Sequence, residues 1–286
     1  MKTIKDVFNV FKQTLATLYD ANETEALTLL VINELTGLSK AKIKAFPEQE
    51  ITSTEVEKLN NILSRLQTGE PVQYILGHTE FYGLPFNVTP SVLIPRPETE
   101  ELVEWALSSV VSGEWKGNVL DIGTGSGCIA ISLKKNLLNA SVSAVDISPD
   151  ALKISTQNAE LNNVDVTFIN DDILNIKSEI ENSKFEIIIS NPPYVTLHDK
   201  TQMHTNVTDF EPHNALFVPE NDPLIFYKAI ADFAKKNLPQ NGLLFFEINE
   251  SLGNETVELL KDKEFKNIEL RKDMSGRDRM IKATRF

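Results

Sequence analysis

At 286 residues, 41% apolar and 24% charged, the chain is long enough for one large or two smaller domains around a true core. Its 28 basic residues against 41 acidic ones leave a net charge of −13, which argues against non-specific binding to DNA or an anionic membrane. Cys128 is the only cysteine and no apolar run approaches membrane-spanning length, so no internal disulfide and a cytoplasmic protein are expected.

The chain opens on helical periodicity. Ile4, Val7, Phe8, Phe11, Leu15 and Leu18 recur at helical spacing, and Asn22 with Glu25 reads as a capping box before Ala26, Leu29, Leu30 and Leu35, with Gly37 as a stop. A further helix carries Val56, Leu59, Ile62, Leu63 and Leu66 and ends near Gly69 and Pro71. Residues 1–73 are therefore predicted to form a small helical domain. None of its residues carries an obvious chemistry, so docking or support is the expected role.

Between 74 and 94 the texture changes. Phe81, Tyr82, Phe86 and Val88, punctuated by Gly77, Gly83 and Pro85, predict a β-hairpin linker. From Pro95 to residue 286, strands alternate with helices. They are predicted at Val119–Ile122, Val142–Asp146, Val166–Asn170, Phe185–Ser190 and Leu243–Ile248, with weaker candidates at Asn267–Leu270 and Ile281–Arg285. Such alternation argues for an α/β fold built on a parallel, doubly wound sheet of up to seven strands.

Chemistry concentrates where those strands end. Val119-Leu-Asp-Ile-Gly-Thr-Gly-Ser-Gly127 runs a strand into an acidic residue and then three glycines. A dinucleotide fingerprint would place the third glycine one position later, and Asp121 would repel a pyrophosphate. A cationic ligand suits this loop better. About twenty residues on, Asp146 closes the second strand, where a carboxylate can accept both hydroxyls of a ribose or else cap the next helix. Asp171 and Asp172 follow the third strand, and the sequence does not say which of the two points inward.

The fourth predicted strand runs into Asn191-Pro-Pro-Tyr194. Each proline fixes its own φ and holds the preceding residue extended, so the Asn191 side-chain oxygen and a backbone carbonyl can converge on one NH2 group. Tyr194 can then lie against the flat group that carries it. The loop resembles that of methyltransferases acting on planar amino nitrogens: adenine N6, cytosine N4 or a glutamine amide. The glycine loop resembles the Asp-x-Gly-x-Gly-x-Gly segment of Rossmann-like methyltransferases that use S-adenosylmethionine.

Further segments extend the resemblance over essentially the whole chain: Pro95-Arg-Pro-Glu-Thr-Glu100, Phe210-Glu-Pro212, Ala215-Leu216 and Asp273-Met-Ser-Gly-Arg-Asp-Arg279. Together they resemble the protein-(glutamine-N5) methyltransferases of bacterial release factors, the PrmC/HemK family. That resemblance implies a class I, Rossmann-like seven-stranded methyltransferase domain over 95–286, joined by the 74–94 hairpin to a substrate-recognition domain over 1–73. It implies S-adenosyl-L-methionine as cofactor, S-adenosyl-L-homocysteine as product, and class I peptide-chain release factors as partners. It implies cofactor binding by Asp121, Gly123, Thr124, Gly125, Ser126, Gly127, Asp146, Asp171, Asp172 and Asn191. The substrate amide would meet Asn191, Pro192, Pro193 and Tyr194, with Asn191, Pro192 and Tyr194 catalytic. No metal is implied, and no direct DNA or membrane binding. The rival reading is an adenine-N6 nucleic-acid methyltransferase gripping a flipped base.

Overall fold

The computed structural model describes residues 1–110, 115–201 and 203–286. The chain divides into two compact units. One is Met1–Leu76 with Thr205–Phe210, and the other is Gly77–His204 with Glu211–Phe286.

The first unit contains helices Ile4–Leu15, Ala21–Thr36, Lys40–Ala45, Ser53–Leu66 and Val72–Leu76 around Val7, Phe11, Ile32, Leu59 and Leu66. Capping boxes Thr3/Asp6 and Thr52/Glu55 start the first and fourth helices. The second helix does not start at an Asn22/Glu25 box. Asp20, extended in its backbone, caps it by accepting from the Asn22 and Glu23 N–H groups, which leaves Asn22 inside the first turn. Gly37 ends that helix in the left-handed region, at φ 69°. Leu18, expected on the apolar face, is 50% exposed because the first helix has already ended at Leu15.

In the second unit, strands β1 (His78–Phe81) and β2 (Leu84–Asn87) form the expected hairpin. Its turn residues Tyr82 and Gly83 both take positive φ, 51° and 70°, as a two-residue hairpin loop demands. The hairpin is tied to helix Pro149–Leu161 and the residue after it. Asn158 pairs with both backbone groups of Asn87, and Asn162 Nδ2 donates to the Pro85 carbonyl.

The large sheet comprises β3 (Asn118–Ile122), β4 (Ser141–Asp146), β5 (Thr167–Asn170), β6 (Ile187–Ser190), β7 (Leu243–Glu247), β8 (Lys266–Lys272) and β9 (Asp278–Thr284). Their spatial order is β5-β4-β3-β6-β7-β9-β8. The alternation of strands and helices suggested an all-parallel sheet, but β9 runs antiparallel to both of its neighbours. Only the short turn around Gly276 (φ 82°) separates β8 from β9, and a parallel crossover needs a dozen or more residues.

Alternate side chains of the central strands feed opposite faces. Val119, Ile187, Ile189 and Phe245 pack under helices Pro97–Ser108 and Cys128–Asn136. Leu120, Ile188, Leu244 and Phe246 pack under Tyr227, Ile230 and Ala234 of helix Ile225–Asn237. Both faces are covered, which is why these strands read as nearly unbroken apolar runs.

Candidate active site

Strand order reverses at β3, which has β4 on one side and β6 on the other. At such a switch point the loops leaving the strands diverge and open a crevice at their C-terminal ends. A cleft of about 240 Å³ lies there, and Gly123, Gly125, Asp146, Asp171, Asp172, Asn191, Pro192 and Pro193 line it. Val92, Leu93, Phe226 and Ile230 add apolar wall. The Ser190 hydroxyl donates to the Ile122 carbonyl at 2.6 Å, binding the ends of β6 and β3 together beneath it.

The glycine loop splits its duties. Gly123 (φ 75°) and Gly125 (φ 53°) face the cleft, where a side chain at Gly123 would stop 3.9 Å from the Asn191 carbonyl oxygen. Gly127 looks the other way. A side chain there would strike Ile131 at 2.8 Å and Ser155 at 3.0 Å, so its smallness serves helix packing. Thr124 also turns inward and donates to Asp121 Oδ2 at 2.6 Å. Ser126 is buried, and its carbonyl accepts from Asn158 Nδ2 at 2.9 Å.

Asp121 lies behind the loop, 0% exposed, and its Oδ1 has no hydrogen-bond partner. Burial pushes its carboxyl up to about 7, against the Thr124 hydroxyl and the Ala130 N–H that favour the charged form. The Cys128 thiol beside this loop is raised by burial to about 12, which suits packing and not nucleophilic chemistry.

Asp146 does not cap the following helix. Ser148 does so, accepting from the Ala151 N–H. The Asp146 carboxylate instead accepts one backbone N–H on each oxygen, from Gly125 at 2.8 Å and Ser148 at 2.9 Å. Burial raises its pKa while these N–H groups pull it back.

The structure separates the two aspartates after β5. Asp171 is wrapped by its own loop, accepting N–H bonds from Asp172, Lys177 and Ser178. Burial would raise its pKa, but the Ser178 hydroxyl and those N–H bonds bring it down to about 2. Asp172 accepts only the Leu174 N–H, on Oδ1, among the described contacts. Of these two aspartates it is the one with more acceptor capacity left at the cleft.

The Asn191–Tyr194 loop is held from several sides. Asn191 Nδ2 donates to Thr99 Oγ1 at 3.2 Å, and the Thr99 hydroxyl donates to Glu247 Oε2 at 2.6 Å. The Tyr194 hydroxyl donates to the other oxygen, Glu247 Oε1, at 3.1 Å. Burial raises the Tyr194 pKa, and the Glu247 charge adds to the rise. The Tyr194 carbonyl accepts from Asn249 Nδ2, and the Tyr194 and Val195 N–H groups both reach the Leu216 carbonyl. Tyr194 therefore stands beside the cleft with its hydroxyl turned into the interior.

Sequence motifs without an assigned chemistry find their place in this scaffold. Glu211 accepts from the Ile94 N–H and pairs with Arg96, fixing the entry to helix Pro97–Ser108. Arg279, paired with Asp273 at 3.2 Å, supplies positive charge beside Tyr194 and Glu247. Thr99 and Glu247 themselves escaped the sequence reading. Thr99 sat in a singled-out motif, whereas Glu247 fell inside the predicted core strand Leu243–Ile248.

A doubly wound sheet of this order, with a glycine loop and cleft-lining carboxylates at its switch point, defines an α/β enzyme of Rossmann-like methyltransferase type. The Methyltransferase small domain model matches residues 105–210, and the PrmC N-terminal domain model matches residues 6–77. A release factor glutamine methyltransferase of Flavobacterium psychrophilum is 48% identical over 98% of this chain and 98% of its own length. Its counterpart in Bacteroides thetaiotaomicron is 42% identical, over 96% of this chain and 97% of that one. The chain belongs to the release factor glutamine methyltransferase family. A methyltransferase structure from Pyrococcus furiosus, only 17% identical, shares the fold at a TM-score of 0.53 over 79% of this chain and 98% of that one.

Proposed function

We propose that this enzyme transfers a methyl group from S-adenosylmethionine to the side-chain amide nitrogen of the glutamine in the Gly-Gly-Gln motif of class I peptide-chain release factors. The observation that carries this reading is the abutment of two loops. The Asn191 carbonyl oxygen lies 3.9 Å from where a side chain on Gly123 would begin, so a cation on one loop and an amide on the other would be neighbours.

The residues present fit the cofactor. The unpartnered Asp121 Oδ1 suits a cationic ligand, Asp146 suits the ribose hydroxyls, and Asp172 suits the adenine amino group, with Asp171 retained for its own loop. When bound, S-adenosylmethionine supplies an electrophilic methyl on a sulfonium. The protein's task lies with the acceptor, because an amide lone pair is delocalised into its carbonyl. Asn191 Oδ1 and the Pro192 carbonyl would accept both N–H bonds of the glutamine amide and turn its lone pair outward. The same dipoles stabilise positive charge growing on nitrogen. Holding the reactants so is worth several kcal/mol on the order seen for oriented intramolecular reactions. The proton leaves afterwards to water.

Residues 1–73 are proposed as the recognition domain, 74–94 as a hairpin linker and 95–286 as the transfer domain, acting in the cytoplasm where release factors work. The helical part carries little of the acidic excess, so the transfer domain is the acidic one, which disfavours a broad basic groove for nucleic acid. Cross-linking mass spectrometry of the enzyme with a release factor should place contacts within 1–73. Contacts confined to 95–286 would remove the recognition role.

The deciding assay offers the enzyme a release factor with its Gly-Gly-Gln glutamine intact, the same protein with glutamine replaced, and duplex DNA. Methyl transfer is expected to the first alone. Equal labelling of both proteins, or preference for DNA, overturns the glutamine assignment and favours the adenine-N6 reading.

A further inference from the structure

An asparagine side chain can face a ligand with either end, and only its oxygen accepts hydrogen bonds. A substrate NH2 needs acceptors, so glutamine methylation tolerates one orientation of Asn191 and is blocked by the other. The neighbours of Asn191 select between them by proton counting.

Glu247 is 2% exposed, with one carboxylate oxygen 2.6 Å from Thr99 Oγ1 and the other 3.1 Å from the Tyr194 hydroxyl. Burial, helped by Glu98, raises its pKa above the ordinary carboxylate value, and the Thr99 and Tyr194 hydroxyls and the Arg279 charge limit the rise. In the ionised form both oxygens only accept, and the two hydroxyls sit one on each oxygen as donors. Thr99 has a single hydroxyl proton, and that proton is committed to Glu247. What Thr99 turns toward Asn191, 3.2 Å away, is therefore a lone pair, which only the NH2 end of Asn191 can satisfy.

We propose that Thr99 and Glu247 are positioning residues that lock the Asn191 amide with its nitrogen toward the protein and its oxygen toward the cleft. Thr99 is 3% exposed and is not part of the cleft wall, so it acts through Asn191 and not on substrate. A flipped amide would set its oxygen against the Thr99 lone pair and, in the cleft, its NH2 against the substrate NH2. The parts of the lock come from three elements: Thr99 lies in the first turn of one helix, Glu247 ends β7, and Asn191 follows β6.

This inference rests on the proposed glutamine methylation, and the experiment separates the two. Full-length wild-type enzyme is first assayed on release factor. Absence of transfer overturns the parent reading and the lock with it. Given transfer, Thr99→Val should lower kcat by about tenfold or more, with release-factor KM and S-adenosylmethionine affinity within about twofold. Thr99→Ser, which keeps the hydroxyl, should restore kcat to within about threefold. In an Asn191→Ala background, Thr99→Val should add less than about twofold, because the residue it positions is gone. If Thr99→Val loses cofactor binding, Thr99→Ala takes its place in the same cycle. Wild-type kcat in Thr99→Val, failure of serine to rescue, or an equal further loss in the Asn191→Ala background would each overturn the lock.

Discussion

Asp146 Oδ2 accepts the Gly125 N–H at 2.8 Å, so the carboxylate ending β4 also holds the glycine loop that follows β3. Two strands thus share one hydrogen bond at the mouth of the cleft. Asp146→Ala removes that bond together with the proposed ribose acceptor. Affinity for S-adenosylmethionine should fall by about 1.5–3 kcal/mol, the range for charge-assisted hydrogen bonds. Calorimetry checks it, and unchanged affinity would mean that the ribose is held elsewhere.

Asp121 predicts a pH dependence. Its folded pKa of about 7 lies above the ordinary aspartate value of 3.8, so the folded protein holds this proton more tightly than the unfolded chain. The resulting stability is fully present below the unfolded pKa and is lost as pH rises through about 7. A cation placed near Oδ1 favours the carboxylate, so cofactor binding should release a proton at pH 6 and strengthen with pH, levelling off above 7. Calorimetry in two buffers of different ionisation enthalpy measures the released proton. Asp121→Asn should abolish it, and flat wild-type affinity across this range would exclude a role for Asp121 in holding the cation.

Asn191→Ala removes the side-chain acceptor and leaves the Pro192-Pro193 geometry in place. Methyl transfer to release factor should drop on the order of a hundredfold, as for loss of one preorganised dipole at a reacting centre. Cofactor affinity should stay within a few-fold. Single-turnover kinetics beside a binding titration distinguish the two effects, and equal losses in both would place Asn191 chiefly at the cofactor.

Asn158 is fully buried and makes three hydrogen bonds, two to Asn87 and one to the Ser126 carbonyl. Asn158→Ala should destabilise the protein by about 2–3 kcal/mol, because buried backbone groups on β2 and the glycine loop are left unpaired. A lower denaturant midpoint with unchanged m-value is the expected signature. An unchanged midpoint would show that water or a shifted hairpin replaces these bonds.

The sequence by itself determined the elements and the chemistry-bearing loops. Apolar runs such as Ile187–Ser190 are strands because period-2 residues must fill two covered faces, and Gly37 or Pro97 punctuate helices through φ alone. The glycine loop, Asp146 and Asn191 were legible because local strand-to-loop transitions place them at the same end of the sheet. Direction of the last strand was not, since it depends on how short a turn the Gly276 segment can make. Nor could spacing tell Asp171 from Asp172, because only the folded loop shows which carboxylate its own N–H groups consume. Glu247 and Thr99 lie 148 residues apart and meet only when β7 is laid beside β6 with helix Pro97–Ser108 packed across it. Sequence names the groups that can donate and accept. Tertiary structure alone decides which donor each buried acceptor meets, because burial removes the water that would otherwise satisfy it.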